Sequence, residues 1–393
     1  MTRVLFLTES FHPVLGGGEG QVRDLSRRLA ASGMPTTVVT RRGERAWPAR
    51  ETLDGVRVVR VPPAGPARIG KYAMVPAAML ALRREAAAHD VLVVRGTRVL
   101  GLPGLVAARM ARRAVVLQPE VNGEMTGEVY TWGTGLDRPV PRRAIGLAVA
   151  ARNRLLRDAD AFVAMSRLIH DEIVAAGVGP ERVRHIPHGV DMDRFRPATP
   201  EERAGLRRRL GLPADARVVT FTGRLLRGKG LETLVEAFQS PLAHLVIVGS
   251  GTGQALSVEE WIRERVASGD LAGRVTMTGR VDNVEDYLRA SDVFAFPSAF
   301  EGLGLSLIEA QACALPCVAS RTGGIVDVIE DGRTGLLVTP GQATELAAAL
   351  RTLLSDEGRR SALGAAAREN AVREFDVRDS VDRYRALFHE MSS

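Results

Sequence analysis

Apolar runs of four to six residues recur along the chain, each followed by a glycine-rich or polar break and then by apolar residues spaced three and four apart. "RVLFLTESFHPVLGGGEGQVRDLSRRLAASGMPTTVVTRR", residues 3–42, is the first such unit and reads as strand, glycine-rich loop, amphipathic helix, glycine stop, strand. "RVVTFTGRLLRGKGLETLVEAFQSPLAHLVIVGSGTG", residues 217–253, repeats that order. Further strands are expected at "HDVLVVRG", "RAVVLQPE" and "DAFVAMS" in the first half, and at "RVTMTGRV", "DVFAFPS" and "LPCVAS" in the second. Apolar strands alternating with helices of this length predict parallel, doubly wound α/β sheets.

The two units imply two Rossmann-like domains of similar size. Residues 182–200, "RVRHIPHGVDMDRFRPATP", are dense in Pro, Gly and Asp and suit a connection. The expected division is an N-terminal domain over 1–186, a linker over 187–200 and a C-terminal domain over 201–370. From Ala343 the pattern is helical throughout, with a last helix over 371–393 that has the length to cross back to the N-terminal domain. In open sheets of this kind ligands lie outside the carboxyl ends of the strands, so two such domains facing each other across a cleft would both line it.

Composition narrows the class. The chain has 393 residues, 45% of them apolar and 25% charged, as in an ordinary globular enzyme. No stretch reaches membrane-spanning length without charges. The two cysteines, Cys313 and Cys317, form no CxxC pair and read as core residues of a reducing compartment, which makes a cytoplasmic location the expectation. The net charge of +7 is carried almost entirely by arginine, since Lys71 and Lys229 are the only lysines. With 5% aromatic residues and no recognition motif, a nucleic-acid partner is not expected.

Four features sit at predicted strand-to-helix junctions. "GGGEG", residues 16–20, would let a ligand approach the backbone at Gly17 and Gly18 and meet the positive helix end; a tight turn needing glycine is the other reading. "GRLLRGKG", residues 223–230, sets Arg224 and Lys229 at the top of a strand, where an ammonium binds phosphate as a point charge. In "PSAFEGLGLSLIEAQACALP", residues 297–316, the amides near Gly304 and Leu305 form an anion site at a helix start. Glu309 lies five residues further, about 7.5 Å along the axis, leaning back towards that start. It pairs either with a core arginine or with two hydroxyls of a ribose whose diphosphate sits at the helix start. Glu301 would then lie beyond the phosphates. "TGGIVDVIEDGRTGLLV", residues 322–338, is a further glycine turn of architectural character.

Together these residues resemble the retaining GT-B glycosyltransferases of family GT4, over nearly the whole chain. Glu301 and Glu309 match the family's Glu-x7-Glu motif, and Gly223, Arg224, Lys229 and Gly230 its Gly-Arg…Lys-Gly motif. "GGGEG", "DADAFVAMS" and "IPHGVDMDRFRP" match in order. The resemblance implies a nucleotide-diphosphate sugar donor of UDP or GDP type held mainly by the C-terminal domain. Arg224 and Lys229 would neutralise the diphosphate, Glu309 would hold the ribose, and Glu301 would contact the sugar. Backbone groups at Arg280 and Val281 would contact the base. It also implies retention, with the departing phosphate oxygen taking the acceptor proton, and neither a metal nor another cofactor. The acceptor would be a sugar, a lipid-linked or a small molecule, in glycan, glycolipid or natural-product assembly. Where many relatives carry a histidine this chain has Gln118, followed by Glu120, Asn122 and Glu124, so Gln118, Glu120, Asn122 and His12 are the acceptor-site expectations.

Other patterns carry less. "DMD", at Asp191 and Asp193, reads as turn and cap chemistry, and Pro187 breaks the helical spacing of His185 and His188 that a zinc site would use. Residues 141–159 form a basic amphipathic helix with two readings: a packed helix with a solvated arginine face, or peripheral contact with an anionic membrane. A sugar-nucleotide epimerase, a non-catalytic sugar-nucleotide binder, an NAD-dependent oxidoreductase and a PLP-dependent phosphorylase are the rival functions for such a scaffold.

Overall fold

The structure, a computed structural model, describes residues 1–14, 16–65, 67–130, 142–238, 243–254, 256–267 and 271–392. Compactness divides the chain into two units, Met1–Pro187 with Arg378–Ser393, and His188–Val377. This division falls within the stretch expected as a linker, 187–200, with Pro187 in the first unit and His188 onward in the second. Each unit is built on one sheet.

The first sheet has eight strands: β1 (Val4–Leu7), β2 (Thr36–Arg41), β3 (Arg50–Leu53), β4 (Val56–Val61), β5 (Val91–Arg95), β6 (Ala114–Gln118), β7 (Ala161–Ala164) and β8 (Val183–His185). Their order is β3-β4-β2-β1-β5-β6-β7-β8, parallel except for the β3–β4 pair. Strands β1, β2, β5 and β7 are buried along their whole length, as in a sheet covered on both faces. The antiparallel hairpin β3–β4 was not expected. It turns on Asp54 (φ 52°) and Gly55 (φ 81°), the paired left-handed residues that match strand twist. Strand β8 lies inside the stretch read as a connection.

The second sheet has six parallel strands: β9 (Arg217–Thr222), β10 (Ala243–Val248), β11 (Val275–Gly279), β12 (Val293–Phe296), β13 (Cys317–Ser320) and β14 (Leu336–Val338), in the order β11-β10-β9-β12-β13-β14. All six carboxyl ends therefore lie along one edge of the sheet. Cys313 and Cys317 are both buried and free.

The helical tail is broken twice, giving helices Ala343–Ser355, Glu357–Phe375 and Val377–Ser392. Asp356 makes the first break, its carboxylate accepting from Arg359 N at 2.8 Å as a helix cap. The last helix packs on the first sheet: Tyr384 and Phe388 are fully buried, and Phe388 meets Phe6 edge-on with ring centroids 6.3 Å apart. Among the described residues no helix is long and apolar enough to cross a membrane.

Candidate functional site

In the second unit the loops leaving β9, β12 and β13 lie main chain on main chain. Ala299 N donates to Gly228 O at 2.9 Å, and Gly324 N donates to Glu301 O at 3.1 Å. Gly230 shows why glycine is needed: it caps helix Leu231–Ala237 at φ 71°, and a Cβ there would stand 1.9 Å from Pro297 O. This packing brings two of the expected residues together. Lys229 Nζ lies 2.5 Å from Glu301 Oε1, with the side chains 22% and 12% exposed. Arg224, on the same loop, is exposed; its carbonyl accepts from Leu226 N at 2.9 Å, and its guanidinium makes no hydrogen bond or ion pair among the described residues.

Gly304 (φ 95°) opens helix Leu305–Ala312 without a side-chain cap, so the first amides are free of intrahelical partners. Glu309 stands one turn on, half-buried, and its carboxylate takes no hydrogen bond or ion pair among the described residues. Burial pushes its pKa up to about 7; the Arg194 guanidinium opposes this and Glu285 adds to it. The expected core arginine is thus nearby but engaged elsewhere. Arg194 binds Glu285 at 2.7 Å and Asp282 O at 3.0 Å. Asp191 accepts from the amides of Asp193 and Arg194 at 3.0 and 3.1 Å, the turn chemistry read for "DMD".

Arg280 and Val281 follow β11, whose last residue Gly279 accepts from Gly249 N at 2.9 Å. Arg280 is exposed, whereas Val281 packs against a cluster that includes Leu206, Val246 and Val248.

In the first unit, Gly17 and Gly18 open helix Gly17–Ala31, capped by Gly16 with no side-chain hydrogen bond. A Cβ on Gly18 would lie 3.9 Å from Glu120 Oε1. Glu120 is held by Arg95, whose Nε donates at 3.1 Å; Arg95 is fully buried and also bonds Gln21. Burial pushes Glu120 up to about 7 against the pull of Arg95, and Glu124, Glu19 and Glu9 raise it further. Glu124 accepts from Thr97 N and Oγ1 at 2.8 and 2.7 Å and from Glu120 N at 3.1 Å. Gln118 Oε1 accepts from Tyr384 Oη at 3.1 Å, and Asn122 is buried in the turn beyond. His12 belongs to a different group. Arg23 donates to its Nδ1 at 3.2 Å and Arg60 to its carbonyl at 2.7 Å, and none of its hydrogen bonds reaches Gln118, Glu120 or Asn122.

Sequence reasoning missed Arg95, Arg194 and Tyr384. Only Arg194 carried a local signal, in the "DMDRFRP" run. Among the described residues no three His, Cys, Asp or Glu side chains are grouped to hold a metal ion.

The family model described as Glycosyl transferases group 1 matches residues 202–370, and that of Glycosyltransferase Family 4 matches residues 15–194. A D-inositol 3-phosphate glycosyltransferase of Kineococcus radiotolerans is 35% identical, over 91% of this chain and 86% of its own. The chain belongs to glycosyltransferase family 4. This glycosyltransferase has the GT-B fold, two parallel-sheet α/β domains, and its chemistry is glycosyl transfer, so the epimerase alternative is not favoured. A GDP-mannose-dependent monoacylated alpha-(1-6)-phosphatidylinositol monomannoside mannosyltransferase of Corynebacterium glutamicum is 28% identical over 95% and 94% of the two chains. Among solved structures, sucrose-phosphate synthase from Thermosynechococcus elongatus superposes with a TM-score of 0.86 at 26% identity, covering 99% of each chain. Anabaena HepE in complex with UDP-glucose superposes at 0.79 and 23% identity, covering 99% and 100%, a likeness of fold.

Proposed function

We propose that this glycosyltransferase moves a sugar from a nucleoside-diphosphate sugar of UDP or GDP type to an acceptor hydroxyl with retention, and that its second unit holds the donor. The observation that carries the reading is Glu309, a carboxylate raised to about 7 with no hydrogen-bond or ion-pair partner among the described residues, one turn inside a glycine-capped helix. Two ribose hydroxyls supply the donors an ionised carboxylate accepts. The diphosphate then lies at the free amides near Gly304 and Leu305, with Arg224 and Lys229 as its cations. Lys229 exchanges Glu301 for a phosphate oxygen, which releases Glu301 to the sugar. Backbone groups at Arg280 and Val281 meet the base.

In the reacting step the acceptor oxygen bonds the anomeric carbon as the bond from that carbon to the phosphate oxygen breaks. The acceptor proton passes to the departing oxygen, and the two cations hold the charge that develops there. No metal enters this scheme.

The acceptor is proposed to be a hydroxyl compound that carries phosphate, engaged with Gln118, Glu120, Asn122 and His12. The names of the two relatives above contain inositol 3-phosphate and a phosphatidylinositol mannoside. In the first unit Lys71, Arg98 and Arg41 lie in electrostatic range of Glu9, a cationic group suited to phosphate. A cytoplasmic location completes the proposal. The test is release of nucleoside diphosphate from UDP- and GDP-sugars, with phosphorylated and neutral polyols as acceptors and Lys229→Ala as control. Release that needs a phosphorylated polyol and falls in the variant supports the reading. Conversion of donor to an epimer without release contradicts it.

A further inference from the structure

We propose that one helical face of the first unit docks on an anionic phospholipid surface. Helices Val75–Glu85, Gly101–Ala111 and Arg142–Leu156 link β4 to β5, β5 to β6 and β6 to β7. Each link steps the same way along the strand order, so right-handed crossovers put all three helices on one face of the sheet. The first packs on the second, and the second on the third.

Their outward positions are apolar to an unusual degree. Of the twelve exposed large hydrophobic residues among the described ones, five stand on these helices: Leu80, Val106, Met110, Leu147 and Leu155. Leu147 is 74% exposed and Met110 68%. Val106 with Met110, and Leu147 with Ala151 and Leu155, fall at four-residue spacing and so share a side of their helix. Of the two readings for residues 141–159, the packed helix with a solvated arginine face holds only in part in helix Arg142–Leu156. Val149 and Leu156 are buried, but Leu147 and Leu155 face out, and Arg152 turns in to donate to Tyr130 Oη at 3.1 Å and Glu124 O at 2.5 Å.

The same helices are nearly free of acidic residues. Helices Gly101–Ala111 and Arg142–Leu156 contain none, and Val75–Glu85 contains only Glu85, which is buried and paired with Arg57. Around the apolar positions stand the exposed Arg83, Arg84, Arg109, Arg112, Arg143 and Arg154; of these, Arg109 pairs with Asp160. Helices Gly17–Ala31 and Arg167–Ala175 of the same unit mix the two signs. Apolar side chains set among unopposed arginines fit the boundary between lipid headgroups and acyl chains, where the aliphatic groups enter and the guanidinium groups bind phosphate. The five exposed large hydrophobics include no aromatic ring for base stacking, which disfavours nucleic acid. A second copy would bring arginine against arginine.

The test is co-sedimentation with vesicles of phosphatidylcholine alone and of phosphatidylcholine mixed with phosphatidylglycerol, at low and high salt. It needs no turnover, so its outcome is independent of the donor reading. The protein is expected to pellet with the mixed vesicles at low salt and to be released by salt. Leu147→Ser with Leu155→Ser should weaken binding about tenfold or more, and Arg143→Ala with Arg154→Ala about fivefold per arginine. Both variants change exposed residues and should keep the wild-type circular dichroism and melting temperature. Absence of the wild type from the mixed-vesicle pellet overturns the proposal, as does undiminished binding by both variants. Loss of a dimer in these variants, without vesicle binding by the wild type, assigns the face to a second copy and also overturns it.

Discussion

Lys229 and Glu301, 72 residues apart in the chain, meet at 2.5 Å in the second unit. The ion pair ties the loop after β9 to the loop after β12, and a ligand that reaches Lys229 takes the place of Glu301 as its partner. Under the proposed function that ligand is a phosphate.

Removing the cation should therefore cost chemistry more than folding. Lys229→Ala is expected to lose on the order of a hundred- to thousandfold in kcat, about 2.7–4 kcal/mol of transition-state stabilisation. Glu301→Gln frees Lys229 for phosphate, so donor affinity should hold or rise while kcat falls. Steady-state kinetics with circular dichroism controls decide both.

Glu309 sets a pH dependence. Its pKa is raised to about 7 in the folded protein, so the folded state holds a proton that the unfolded chain releases near its ordinary value of 4.5. Stability should fall as pH rises from about 4.5 to about 7 and level off above that. Glu120, also raised to about 7, adds to the same window. Urea titrations of wild type, Glu309→Gln and Glu120→Gln across this range should give progressively flatter profiles for the variants. Because ribose hydroxyls favour the ionised form, affinity for the nucleotide sugar should rise with pH through about 7 in the wild type and not in Glu309→Gln.

Gly230→Ala tests the loop packing. With φ at 71° and a Cβ 1.9 Å from Pro297 O, the variant must move the Lys229 loop off the Glu301 loop, at an expected cost on the order of 1–3 kcal/mol. Thermal melts should register the loss, with nucleotide affinity falling in parallel.

Tyr384→Phe removes the hydroxyl donated to buried Gln118. Burial pushes that hydroxyl up to about 12, so it remains a donor across the working pH range. Loss of that hydrogen bond should cost about 0.5–1.5 kcal/mol by urea unfolding.

The fold was legible where the chain is uniform. β1 and β12 are unbroken apolar runs, β5 is one up to Arg95, and glycine turns follow each parallel strand that leads to the site. The β3–β4 hairpin was missed although Asp54–Gly55 is its signal, because the strand before it, "RETL", alternates charged and apolar residues and reads as loop. For the helix 142–156 the sequence left two readings, packed or in contact with a membrane, since periodicity shows that an apolar side exists but not which way it faces. At the site, Lys229, Glu301 and Glu309 stood out by residue type and spacing. Arg95 and Tyr384 did not, because a buried arginine at a strand end and a tyrosine in a distant helix acquire meaning only from Glu120 and Gln118, which the fold brings to them.

The most direct measurement is thermal stabilisation by UDP, GDP, ADP, TDP and NAD, beside Glu309→Ala. A ligand at about a hundred times its dissociation constant adds roughly 2.7 kcal/mol to the state that binds it. The account predicts a shift with UDP or GDP that Glu309→Ala loses. A shift with NAD alone, or a nucleoside-diphosphate shift undiminished in the variant, would contradict it.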